Sequence, residues 1–115
     1  MNSTIKNIFQ DFEVNGVSIP VEFLRYEGHG EPYIVYMEID KDNSLSGEDE
    51  ILGYVSYYDF EIYSKGNYLS IVEKVKELMK ANGFMWQPSR DSEDRYETDT
   101  GYYHKTICFA IEREV

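Results

Sequence analysis

The sequence predicts an α+β fold: an antiparallel sheet of about four to five strands packed against one long helix and a short N-terminal helix, in a single domain spanning residues 1–115. Three observations predict it. Tyr68, Ile71, Val72, Val75, Leu78 and Met79 recur at helical spacing and make one apolar stripe. Residues 52–63 and 102–112 instead alternate with the period of two that marks a strand with one buried face. At 115 residues the chain has room for one core.

Taken in order, residues 3–13 read as a short amphipathic helix, with Ile5, Ile8, Phe9 and Phe12 on one side and Ser3 or Thr4 as its cap. Asn15-Gly16 is a turn signal. Val17, Ile19, Val21 and Phe23 then alternate with Ser18, Pro20 and Glu22, which predicts a strand. Pro20 has no N–H for a ladder, so this strand lies at an edge or is interrupted there. Residues 27–32 read as a loop. Tyr33–Ile39 reads as the second strand, with Tyr33, Val35, Met37 and Ile39 on one face.

Asp40–Glu50 is polar and acidic, which predicts a long hairpin loop. Leu52–Tyr63 is the third strand. Tyr54, Tyr58, Phe60 and Ile62 share one side, and Val55, Tyr57, Asp59, Glu61 and Tyr63 share the other. The first side suits a core. The second is mixed aromatic and acidic, and suits a face met by another subunit or by water. Asn67 is placed to cap the long helix, and Asn82-Gly83 to end it in a left-handed turn. Phe84 and Trp86 open a fourth strand, Pro88–Asp99 reads as a loop or hairpin tip, and Tyr102–Glu112 closes the sheet with Ile107, Phe109 and Ile111 toward the core.

Composition narrows the function classes. The formal net charge is -11, and the 11 Lys and Arg are dispersed. A surface that grips phosphates needs clustered basic residues, so nucleic-acid wrapping and anionic membranes are disfavoured. Aromatics reach 16%, with 11 Tyr, a residue suited to half-buried sheets and protein interfaces. Cys108 is the single cysteine, so no intrachain disulfide forms. Residues 1–6 lack the basic start of a signal peptide, and no apolar run approaches the roughly 20 residues of a membrane span. A soluble chain made in the cytoplasm is expected.

The residues that carry chemistry elsewhere do not assemble into a motif here. His29 and His104 are far apart in sequence and make a weak metal signal. Asp40-Lys41-Asp42-Asn43-Ser44 begins like a calcium loop, but Leu45 and Ile51 stand where Gly and Glu are required. Cys108 reads as a structural thiol, because His104 on the same strand face is about 13 Å away by strand rise. The carboxylates of residues 48–50 and 91–94 fall in polar stretches rather than against apolar walls. No phosphate loop, nucleophile elbow or dinucleotide fingerprint is present, so neither an enzyme nor a cofactor is expected. Trp86 and the tyrosines lack the basic groove that single-strand binders pair with stacking rings.

Several pieces fall into a familiar order: Pro32-Tyr33-Ile34-Val35-Tyr36 opening a strand, Ser46-Gly47-Glu48-Asp49-Glu50 filling a hairpin, Tyr57 to Lys65 running into a helix, Gly83-Phe84 leaving it, and Asp99 to Lys105 entering the closing strand. Together they resemble the tail terminator and tail completion proteins, the head–tail joining family of long-tailed bacteriophages and prophages, over about residues 4–113. The resemblance implies a structural virion-assembly protein with no catalytic residues. It implies a homo-oligomeric ring, often a hexamer, that caps the tail tube protein and meets a head-completion or connector protein. DNA passes through its channel without specific binding. Assembly in the bacterial host cytoplasm and a final place at the head–tail interface of the virion follow. By position, Glu48, Asp49 and Glu50 would lie in a loop that approaches neighbours or the tube. Tyr57, Asp59, Glu61 and Tyr63 form the strand face expected to meet another subunit. The alternative from another class is a small α+β ligand-binding or regulatory domain, with that face around a small molecule.

Overall fold

The computed structural model describes residues 2–28, 32–47 and 50–114, with side chains described for 3–28, 32–42 and 53–113. The elements in order are α1 (Asn2–Ile8), β1 (Glu13–Val14), β2 (Val17–Ser18), β3 (Val21–Phe23), β4 (Tyr33–Gly47), β5 (Glu50–Ser64), α2 (Tyr68–Ala81), β6 (Met85–Trp86), a 3-10 turn (Pro88–Arg90), β7 (Arg95–Glu97) and β8 (Tyr102–Glu114). The architecture is α+β, with a mostly antiparallel sheet and two helices. The main sheet has six strands in the order β3-β4-β5-β8-β6, with β7 also paired to β8, and β1-β2 form a separate hairpin.

The long helix follows its stripe. Ile71, Val72, Val75 and Met79 are buried against the sheet. Asn67 caps it, its side-chain oxygen accepting from the Ser70 N–H at 3.4 Å, and Gly83 takes a left-handed φ of +86° just past its end. On the sheet side, Tyr58, Phe60 and Ile62 of β5 turn inward with Ile107 and Phe109 of β8, and Ile111 is packed beside them. Phe60 is the hub, meeting Tyr36 in a stack at 5.5 Å and Phe109 edge-on at 5.6 Å. Burying such a ring stabilises the fold by about 2–3 kcal/mol. Ile5, Phe9 and Phe12 close the core from the N-terminal side.

Five expectations are corrected. The short helix ends at Ile8 rather than residue 13; Asp11 takes a φ of +56°, and the chain turns into β1. The strand expected over residues 17–23 splits at Ile19-Pro20 into β2 and β3. Ile19 is buried, whereas Val17 and Phe23 are exposed. The second half, β3, pairs with β4 in parallel, so the sheet is not wholly antiparallel. The acidic stretch 40–50 is not a long loop: β4 continues to Gly47 and β5 starts at Glu50, and the two are paired almost to their ends. The strand segments also exceed the four to five expected, because β3, β6 and β7 are pieces of two or three residues.

In β4, Ile34 and Tyr36 face the core, while Tyr33, Val35 and Met37 occupy the opposite face. The alternation ends at a bulge between Glu38 and Asp40, which leaves Ile39 exposed. Past that bulge, β4 and β5 run out as a hairpin arm, and β8 pairs along β5 as far as Gly53, opposite Glu114. The molecule is accordingly elongated, 52 × 27 × 24 Å. Among the described residues, no helix is long and apolar enough to cross a membrane.

Candidate functional site: the second face of the sheet

A strand with its even residues in a core presents its odd residues on the other face. Tyr57, Asp59, Glu61 and Tyr63 therefore share the side of β5 away from α2. The register sets Ala110, Cys108, Thr106 and His104 of β8 opposite them in that order. On the other flank, Met37, Val35 and Tyr33 of β4 stand opposite Asp59, Glu61 and Tyr63. The strand face singled out from sequence is thus the centre line of a three-strand surface. Its two ends differ.

At one end the aromatic rings stack. Tyr26 lies on Tyr33 at 4.5 Å, Tyr33 on Tyr63 at 4.7 Å, and Tyr63 on His104 at 4.2 Å, which makes a row of four rings across the sheet. Tyr102 meets Tyr33 and Tyr63 edge-on, at 5.7 and 6.1 Å. Offset stacks and edge contacts of this kind add to simple burial. Glu97 of β7 reaches His104 Nδ1 at 3.7 Å, while Nε2 is buried without a hydrogen-bond partner. Burial, followed by the charge of Glu61, pushes the Tyr63 phenol up to about 12. Burial raises Tyr33 as well.

At the other end a strap covers the face. The chain leaves β6, makes the 3-10 turn Pro88–Arg90, and returns to the edge of β8. Gln87 N–H donates to the Cys108 carbonyl at 2.8 Å, and Ser92 N–H to the Thr106 carbonyl at 2.9 Å. Asp91 pins the strap twice: Oδ1 accepts the Cys108 N–H at 2.9 Å, and Oδ2 accepts the Trp86 indole N–H at 2.7 Å. Arg90 lies over the Tyr57 ring at 3.9 Å and continues to Asp40 Oδ2 at 3.5 Å, at the base of the arm. Beneath the strap, burial raises the Asp59 carboxyl, and its Oδ1 has no hydrogen-bond partner. Burial, with Asp59 beside it, pushes the Cys108 thiol up to about 12. A buried thiol held protonated in this way is a poor nucleophile.

The four strand-face residues therefore do different work. Tyr57 is roofed by Arg90, Asp59 is half-buried beside the strap, Glu61 is half-buried, and Tyr63 belongs to the ring row. Glu48 and Asp49 lie outside the described residues. Glu50 opens β5, but its side chain lies outside the described set, as does His29. Sequence reasoning misses Arg90 and Asp91, which fall in the stretch that reads as a loop or hairpin tip. It also missed the partnership of Tyr26 and Tyr33 with Tyr63; the available signal was the Tyr-rich parity of β4 against β5. Among the described residues, no group of three or more His, Cys, Asp and Glu is placed to hold a metal ion. No family model matches this chain, and no curated protein matches it either.

Proposed function

We propose that the chain is a virion-assembly protein of the tail terminator kind: a self-associating ring that caps the tail tube, meets the head connector, and lets DNA pass without gripping it. The observation that carries this reading is the β4–β5 arm. The outer parts of two 15-residue strands, past the bulge at Glu38–Asp40, extend from the core in a 115-residue chain whose long dimension is 52 Å. A paired arm keeps its backbone hydrogen bonds without a core, so it serves as a reach toward a neighbour or a tube. The net charge of -11 supports a channel wall that repels DNA.

The test is light scattering of the purified chain across a concentration series, followed by electron microscopy with tail tubes of the same phage. Tubes capped at one end and fixed in length are expected. A variant with residues 44–51 replaced by a two-residue Asn-Gly turn keeps the core and is expected to lose capping. Tubes that elongate equally with and without the wild-type chain would overturn the proposal.

A further inference from the structure

The chain carries Asn-Gly twice, at Asn15-Gly16 and Asn82-Gly83. This dipeptide is able to modify itself. Glycine leaves its amide nitrogen unshielded, and that nitrogen can attack the asparagine side-chain carbon and close a five-membered imide. Two local conditions decide whether it does. The glycine N–H must be free of a carbonyl partner, and the asparagine amide must be free to turn toward it.

The two sites differ in both conditions. Asn15 and Gly16 are exposed at the tip of the β1–β2 hairpin, with φ of +52° and +79°, the paired left-handed backbone of a two-residue type I′ turn. Among the described residues, the Gly16 N–H donates no hydrogen bond and the Asn15 side chain makes none. A side chain built on Gly16 would meet nothing within 4 Å, so the approach is open. Asn82 and Gly83 are exposed too, and Gly83 is equally open at φ +86°. There, however, the Gly83 N–H donates to the Lys80 carbonyl at 3.1 Å, and Asn82 Nδ2 donates to the Leu78 carbonyl at 2.8 Å. Both reacting groups are held by the last turn of α2, whose carbonyls need donors.

We infer that Asn15 is a self-modification site of the folded chain, and that Asn82 is spared. Solvent base removes the Gly16 amide proton, the nitrogen attacks Asn15 Cγ, and a new C–N bond closes the imide. The Cγ–Nδ2 bond breaks, and the departing nitrogen takes a proton from water and leaves as ammonia. Water then opens the ring at either carbonyl, giving aspartate or isoaspartate; no oxidant or reductant takes part. Either product adds a negative charge at a hollow of about 260 Å³ that Asn15 shares with Glu13, Glu73, Lys74 and Glu77. Isoaspartate also lengthens the main chain of a turn only two residues long. That hairpin joins Phe12 to Ile19, both buried, and the Ile19 N–H donates to the Phe12 carbonyl at 3.0 Å. The modification therefore falls on the clasp that closes the core from the N-terminal side.

The test incubates the purified full chain at mildly alkaline pH, folded in one sample and unfolded in urea in another. Circular dichroism checks that each sample keeps its state. Trypsin then releases residues 7–25 and 81–90 as separate fragments, bounded by Lys6, Arg25, Lys80 and Arg90. Mass spectrometry reads the replacement of an amide NH by O in each. Unfolded, the two sites present the same dipeptide and should react at similar rates. Folded, Asn82 is expected to react at least about tenfold more slowly than Asn15, because local opening must first release its groups. Asn15→Asp keeps the shape of the side chain and has no amide to lose, so its fragment 7–25 should keep its mass. That fragment also holds Asn7, and a variant that still gains the mass overturns the assignment to Asn15. Equal rates at the two sites of the folded chain overturn the inference, as does an Asn82 that reacts first. So does a folded chain that keeps the Asn15 amide over the time in which the unfolded chain loses both.

Discussion

At the scale of single residues, Asp91 does the most with the least. One carboxylate satisfies a backbone N–H of β8 and an indole N–H of β6, and so ties the strap to the sheet. Removing it leaves the buried Cys108 N–H without an acceptor, a cost of about 1–3 kcal/mol. Asp91→Ala is therefore expected to lower the free energy of unfolding in urea by that much and to speed hydrogen exchange at the Cys108 amide. The same variant should expose Cys108 to thiol reagents that react slowly with wild type, since its protection comes from burial. A pair of tyrosines gives a second prediction. Burial, and then the charge of Glu38, pushes Tyr58 up to about 12, and Tyr63 is pushed to the same value from an ordinary 10. A phenol whose folded value exceeds its unfolded one favours the folded state fully below pH 10. That contribution is lost as pH rises through 10 to about 12, because the unfolded chain releases the proton first. Absorbance titration should show at least two of the 11 tyrosines ionising only near pH 12, or with unfolding. All 11 titrating near pH 10 in a folded chain would contradict their burial.

At the scale of elements, the contrast between α2 and the arm explains what sequence could reveal. The stripe, cap and stop of α2 all point to the same helix, and Asn67, Val75 and Gly83 take the places the pattern assigns them. Asn67→Ala should cost about 1 kcal/mol, and Met79→Ala, which empties a fully buried site, about 2–5 kcal/mol, both by denaturant titration. The even side of β5 was equally legible, because Tyr58, Phe60 and Ile62 must leave water together. Residues 40–50 were not legible. Strand periodicity is a record of one-sided burial, and an acidic arm held by backbone pairing keeps no such record. The parallel pairing of β3 was hidden for a related reason: three residues on either side of Pro20 carry no signal of direction. On the candidate face, the period of two sets Tyr57, Asp59, Glu61 and Tyr63 on one side of β5, and the register with β8 keeps them there. The strap beside Asp59 is not legible, because Arg90 and Asp91 act through contacts across the sheet rather than through a local pattern.

At the scale of the whole molecule, net charge sets what any self-association must overcome. Copies carrying -11 each repel one another, and the proposed ring would crowd that charge. Salt screens the long-range repulsion, its reach falling from about 10 Å at 0.1 M to about 3 Å at 1 M, and leaves apolar burial intact. On the ring proposal, self-association should therefore strengthen as sodium chloride rises from about 0.02 to 0.5 M, read as a falling midpoint concentration in light scattering. The opposite trend, assemblies that dissolve as salt rises, would mean that ion pairs between copies hold them together and that apolar contacts are secondary.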